Sequence, residues 1–119
     1  YGAARLIPML EKAKKPAREK LFLGFSDITA LHLFLSQNWN WQPLHGPVLT
    51  PITRGVVSKE TLKRTSEIIF GKNKSATLTD LKPLNAAAKK SGAINASLTG
   101  GNLSLLQTSV GTSWQVQAK

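Results

Sequence analysis

Cysteine is absent from the 119 residues, which rules out a disulfide framework, a thiol nucleophile and a thiolate metal site. Acidic side chains are scarce: six Asp and Glu stand against 16 Lys and Arg, for a formal charge of +10. Two histidines with so few carboxylates leave no metal-ligand spacing, so no metal and no cofactor are expected. No uninterrupted apolar run approaches the roughly 20 residues that span a bilayer, so no membrane partner is expected. The opening residues Tyr1-Gly2-Ala3-Ala4-Arg5 have no methionine and no signal-peptide layout, and are expected to mark a mature form or an excised piece.

What is present suits one modest folded domain: 41% hydrophobic residues in 12.9 kDa. The positive charge raises nucleic acid or an anionic surface as partners. Its distribution speaks against a binding arm. Arg5 to Lys20 and Arg54 to Lys74 are spread clusters interleaved with Glu11, Glu19, Glu60 and Glu67, as on solvated helix faces. Trp39, Trp41 and Trp114 could stack bases, but without an aromatic platform motif they read as core or interface residues.

The chain alternates helix and strand signals, which gives an α/β class. Ala3 to Lys15 carries an amphipathic helix pattern with Pro8 in its first turn and Pro16 behind its stop. Leu21 to Gly24 reads as an apolar strand, buried on both faces if central in a parallel sheet. Asp27 to about Gln37 is a helix apolar nearly all round, hence buried on several sides. Gln42 to Pro47 reads as a short strand and turn. Val48 to Val57 favours a loop because of Pro51 and Gly55. A third helix opens at Ser58 and ends at Gly71. Ser75 to Thr79 could be a strand, Asp80 to Lys90 a surface loop, and Ala93 to Leu98 a strand. A short helix follows at Leu103 to Leu106, and Trp114 to Val116 forms a last strand.

Lys20 to Leu31 holds the sharpest chemical question. A strand-type run meets Gly24, turns through Ser26-Asp27 and enters a helix directly. Such a turn lifts its side chain clear of the sheet and points first-turn N–H groups at whatever that side chain holds. Ser26 is then either a nucleophile or a helix N-cap, with Asp27 complementing the positive helix end. The hydrolase elbow Gly-x-Ser-x-Gly is half met, since Ile28 stands at its fifth position.

A serine nucleophile also needs a base and a group that orients it. His32 lies six residues on, which in a helix is about 9 Å along the axis and about 120° around it, out of reach of Ser26. It reads as a satisfied buried histidine. His45 could approach the strand ends, or could simply bond backbone in its turn. None of the glutamates is an obvious orienter. Tyr1-Gly2 and Gly100-Gly101-Asn102 let backbone approach an anion closely, but also occur as plain turns.

Four motifs in order, Tyr1-Gly2-Ala3-Ala4-Arg5-Leu6-Ile7-Pro8, Gly24-Phe25-Ser26-Asp27-Ile28-Thr29-Ala30-Leu31, His45-Gly46-Pro47 and Gly100-Gly101-Asn102-Leu103-Ser104-Leu105-Leu106, resemble the serine LD-carboxypeptidases. That family comprises muramoyltetrapeptide carboxypeptidases and microcin C self-immunity peptidases. The resemblance implies a cytoplasmic serine peptidase of peptidoglycan recycling that releases a terminal D-amino acid from murein tetrapeptides. It makes Ser26 the catalytic nucleophile and gives the Asp27 backbone N–H to the oxyanion hole. It places Tyr1 and Gly2 at the end of a glycine-rich turn that binds the substrate carboxylate, and adds His45 and Asn102 as substrate-binding candidates.

The resemblance further implies a partial Rossmann- or flavodoxin-like N-terminal domain, with mostly parallel strands and flanking helices, over residues 1–90. Residues 91–119 would be a linker and the start of the C-terminal domain. The Arg-Gly-Gly that precedes the tyrosine in the family does not precede Tyr1 here. The glutamate and histidine of the family triad come from the C-terminal domain and do not occur within these 119 residues. The chain is therefore expected to be an internal fragment, inactive alone, whose exposed sheet edge favours self-association, for instance as a homodimer. Two other readings stay open. An immunity-type peptidase would cleave a peptidyl-nucleotide antibiotic with the same serine, and a substrate panel would separate it. A basic nucleic-acid-binding module on a retired hydrolase core would show a salt-dependent shift with DNA or RNA.

Overall fold

The computed structural model describes residues 2–90 and 92–117. Its α/β architecture is organised on one helix. A 3-10 turn at Ala3–Leu6 runs into α1 (Ile7–Lys12), with Pro8 in the first turn, where its missing N–H costs nothing. α1 stops at Ala13, whose ψ of 142° is extended, earlier than the Lys15 that Pro16 suggested. β1 (Leu23–Gly24) follows, then a 3-10 turn at Ser26–Ile28 that continues without a break into α2 (Thr29–Asn38). β2 (Leu44–His45) lies parallel to β1, with Leu23 opposite Leu44 and Gly24 opposite His45. Bonds from Leu44 N–H to Phe22 O at 2.8 Å and from Gly46 N–H to Gly24 O at 3.1 Å flank the ladder.

Every residue from Thr29 to Leu35 is buried, as the all-round apolar pattern requires. Ala30, Leu31, Leu33, Phe34 and Leu35 meet Ala3 and Ile7 of the N-terminal turn and helix, together with Trp41 and Trp114. Phe34 and Trp39 sit edge to face at 5.7 Å, and Trp39 and Trp41 at 5.2 Å, so the tryptophans serve the core.

Several expected elements differ. β1 is two residues long and Leu21 is exposed, because among the described residues β1 pairs only with β2 and is not enclosed on both faces. Val48 to Val57 contains α3 (Leu49–Thr53) rather than a loop alone. Pro51 falls in its first turn, where no intrahelical acceptor awaits an N–H, and Gly55 at φ 68° terminates it. Ser75 to Thr79 and Ala93 to Leu98 form no strand: all are exposed, and among the described residues no neighbouring strand offers them a ladder. Trp114 to Val116 is likewise irregular. Its amides are spent locally, Gln115 N–H on Thr112 O and Val116 N–H on Ser109 Oγ.

α4 (Lys59–Ile69) and α5 (Leu103–Ser109) keep their expected places. Ser58 Oγ caps α4 by accepting Thr61 N–H at 3.1 Å, and Gly71 at φ 66° closes it. Asn102 Oδ1 caps α5 by accepting Leu105 N–H at 3.2 Å. Ion pairs Arg64–Glu60 and Lys63–Glu67 lie on the solvent side of α4, as the interleaved charges imply. Glu19 belongs to no helix; its carboxylate accepts Gln42 N–H. No described helix is long and apolar enough to cross a membrane.

Candidate active site

Ser26 is an exposed residue with φ 62°, one of three positive-φ non-glycine residues among those described. The left-handed region costs an L-residue roughly 1–3 kcal/mol and persists where surrounding structure enforces it. A Cβ at Gly24 would stand 3.0 Å from Ile28 Cγ2, so the chain folds tightly back over the strand end two residues before Ser26. The helix cap is Phe25, in extended conformation, and Ser26 is the first residue inside the turn. The ordinary N-cap reading of Ser26 is thereby removed. Among the described residues Ser26 Oγ has no hydrogen-bond partner.

Around this turn two distant segments converge. Asp27 Oδ2 accepts the Ala3 N–H at 2.9 Å, which fastens the Gly2-Ala3 turn, with Gly2 at φ 131°, against the elbow. Asn102 N–H donates to Thr29 Oγ1 at 2.9 Å, which fastens the Gly100-Gly101-Asn102 turn one helical step further on. A Cβ at Gly101 would fall 2.4 Å from Thr29 Cγ2, so that approach requires glycine. The Gly2-Ala3 turn is thus brought to Asp27, next to Ser26, and Asn102 to Thr29, three residues beyond it. Tyr1 lies outside the described residues.

The histidines stand to one side. His45 is exposed on β2, and His32 is buried on α2, with ring centroids 5.8 Å apart. Both line a cavity of about 930 Å³ that also borders Trp41, Ser36, Gly100 and Gly101 but not Ser26. His32 was expected to be satisfied. It is buried, but among the described residues its Nε2 has no hydrogen-bond partner, and the rings of Phe22 and His45 pack against its ring at 5.6 and 5.8 Å. Burial first, and the charge of His45 second, push the His32 pKa down to about 4. Neither histidine is hydrogen-bonded to Ser26, and no group of three or more metal-ligating residues occurs among the described residues.

Two contributors to this geometry escaped the sequence reading: the Ala3 amide and the Thr29 hydroxyl. Thr29 had a signal, a polar β-branched residue set in an otherwise apolar helix start and fully buried in the structure. The Ala3 amide had none, because a backbone donor leaves no mark in residue types.

Residues 1–46 match the LD-carboxypeptidase N-terminal domain family. All 119 residues align at 50% identity with a Rickettsia conorii protein and at 48% with one from Rickettsia prowazekii, each named a carboxypeptidase. A Bacillus subtilis protein named a murein peptide carboxypeptidase is 31% identical over 120 aligned positions. The chain spans 38%, 38% and 37% of the length of these three relatives. No solved structure matches it.

Proposed function

We propose, from the match of residues 1–46 to the LD-carboxypeptidase N-terminal domain family, that the full-length protein is a serine peptidase acting on murein tetrapeptides. Ser26 is its nucleophile, and the bond cleaved joins an L-centre to the terminal D-amino acid. The observation that carries the reading is the backbone of Ser26: exposed, at φ 62°, between the strand that ends at Gly24 and a buried helix. A turn held in that conformation presents Oγ outward and sets first-turn N–H groups beside it, the arrangement that acyl transfer needs.

Ser26 Oγ attacks the scissile carbonyl, forming the C–O bond of a tetrahedral intermediate whose oxyanion accepts the Asp27 backbone N–H. The C–N bond then breaks, the departing amine takes up the serine's proton through the base, and an acyl-enzyme remains. Water hydrolyses that ester and restores the serine hydroxyl. Tyr1 and Gly2 bind the substrate's terminal carboxylate, with His45 and Asn102 along the cleft. The base and its orienting carboxylate come from parts of the protein beyond these 119 residues. Residues 1–90 are then part of a Rossmann- or flavodoxin-like nucleophile domain, and residues 91–119 lead into the domain that carries the base. No step calls for a metal or cofactor.

A fluorophosphonate probe on the full-length protein tests this directly. Labelling is expected in the wild type and its loss in Ser26→Ala, with release of D-alanine from a murein tetrapeptide falling by roughly 10³-fold or more. Labelling that survives the substitution removes Ser26 from the nucleophile role. The 119-residue chain alone is expected to release no D-alanine at enzyme-like rates.

A further inference from the structure

Thr29 is fully buried, three residues beyond Ser26 and so about 5 Å along the helix axis. Its side chain makes two contacts with a segment 73 residues away. Oγ1 accepts the Asn102 N–H at 2.9 Å, and Cγ2 lies where a Cβ at Gly101 would have to go, 2.4 Å away. Asn102 in turn caps α5 through Oδ1. The opposite side of the same turn is open: a Cβ at Gly100 would meet nothing within 4 Å, and Gly100 borders the cavity beside His45. The turn is therefore fixed from behind by Thr29 and free in front.

We infer that Thr29 is a positioning residue, whose hydroxyl and methyl hold the Gly100–Asn102 turn against the start of α2, as a wall of the cavity lined by His32 and His45, into which the substrate extends from Ser26. The inference rests on Ser26 being the nucleophile. The two sites are separate in their contacts: Ser26 lies in the turn where Gly24 packs under Ile28, whereas the Gly100–Asn102 turn is bonded to Thr29. Removing the Thr29 hydroxyl leaves the partly buried Asn102 N–H without its acceptor, and the turn moves outward to recover a partner in water. Substrate then meets a displaced wall, while the nucleophile keeps its geometry. KM rises and kcat is largely kept.

The test compares Thr29→Val, Thr29→Ser, Gly101→Ala and Ser26→Ala in the full-length protein, with D-alanine release from a murein tetrapeptide and fluorophosphonate labelling as readouts. Thr29→Val keeps the shape and loses the acceptor; KM is expected to rise about tenfold, with kcat and labelling rate within about twofold. Thr29→Ser keeps the acceptor and is expected to stay within about threefold of wild-type KM. Gly101→Ala displaces the turn from the other side and should reproduce the rise in KM. If Thr29→Val does not fold, Gly101→Ala and Thr29→Ser still decide the matter. A KM unchanged in Thr29→Val and Gly101→Ala overturns the inference, as does a fall in kcat at constant KM, the mark of a smaller folded fraction. Labelling retained in Ser26→Ala overturns the nucleophile reading and this inference with it. Labelling lost in Ser26→Ala while both turn variants keep wild-type KM overturns this inference alone.

Discussion

The His32 imidazole is 6% exposed, meets Phe22 edge to face at 5.6 Å, and meets His45 across 5.8 Å. Burial disfavours its charged form, and His45 adds repulsion, which together bring its pKa from 6.5 to about 4. The unfolded chain therefore binds a proton near pH 6.5 that the folded chain refuses until about pH 4. Between those values the unfolded state holds more protons, so stability rises with pH. The contribution is complete above pH 6.5 and is lost as pH falls toward 4, a change of order 1–3 kcal/mol. Melting temperatures at steps from pH 4.5 to 7 should fall with acidity in the wild type, and fall less in His32→Leu. Equal slopes would show that His32 does not carry the effect. The burial of His32 was legible in the sequence, because its helix is apolar on nearly every side. Its unpartnered Nε2 was not, since that depends on which residues the far strand supplies. Ser26 shows the same division. Its place between Gly24 and a helix could be read directly, but its positive φ could not, since that belongs to the folded backbone and not to residue type.

Helices survive the passage from sequence to structure better than strands do, and the reason is where each finds its hydrogen bonds. α4 closes its own ladder, and its ends are written in Ser58 and Gly71; α5 begins at Asn102 for the same local reason. A strand must borrow its ladder from a neighbour. Ser75 to Thr79 and Ala93 to Leu98 have the residues of strands but no neighbouring strand among the described residues, so they stay irregular and exposed. α4 also separates local from global stability. None of its residues is fully buried; Leu62, Ile68 and Ile69 are only half-buried, so its cap supports the helix more than the core. Ser58→Ala removes the acceptor for Thr61 N–H, at a cost of about 1 kcal/mol. Hydrogen exchange in the first turn of α4 should accelerate roughly fivefold, while the global melting temperature stays within about 1 °C. A melting temperature lowered by several degrees would mean that α4 is coupled to the core after all.

At the scale of the whole molecule, the chain leaves its core and comes back. Among the described residues, all those from Phe70 to Gly101 are exposed, including Leu78, Leu81, Leu84, Ile94 and Leu98. Beyond them the chain returns: Asn102 bonds Thr29, α5 packs on α2, Ser109 is fully buried, and Trp114 joins the cluster that holds Ile7, Phe34 and Trp41. That return could not be read in advance. Trp114 looked like a strand residue because its immediate neighbours are strand-like, and nothing local identifies a partner more than 70 positions earlier. The exposed stretch contributes no buried side chain, so the contacts that hold the two ends together do not pass through it. Brief chymotrypsin digestion of the 119-residue chain should therefore cut after Leu78, Leu81, Leu84 or Leu98 before it cuts within α2 or α5. The nicked pieces should still elute as one species and melt cooperatively, because Thr29–Asn102 and the Trp114 packing remain intact. Pieces that separate on gel filtration without denaturant would show that the exposed stretch, and not those contacts, holds the Gly100–Asn102 turn against the start of α2.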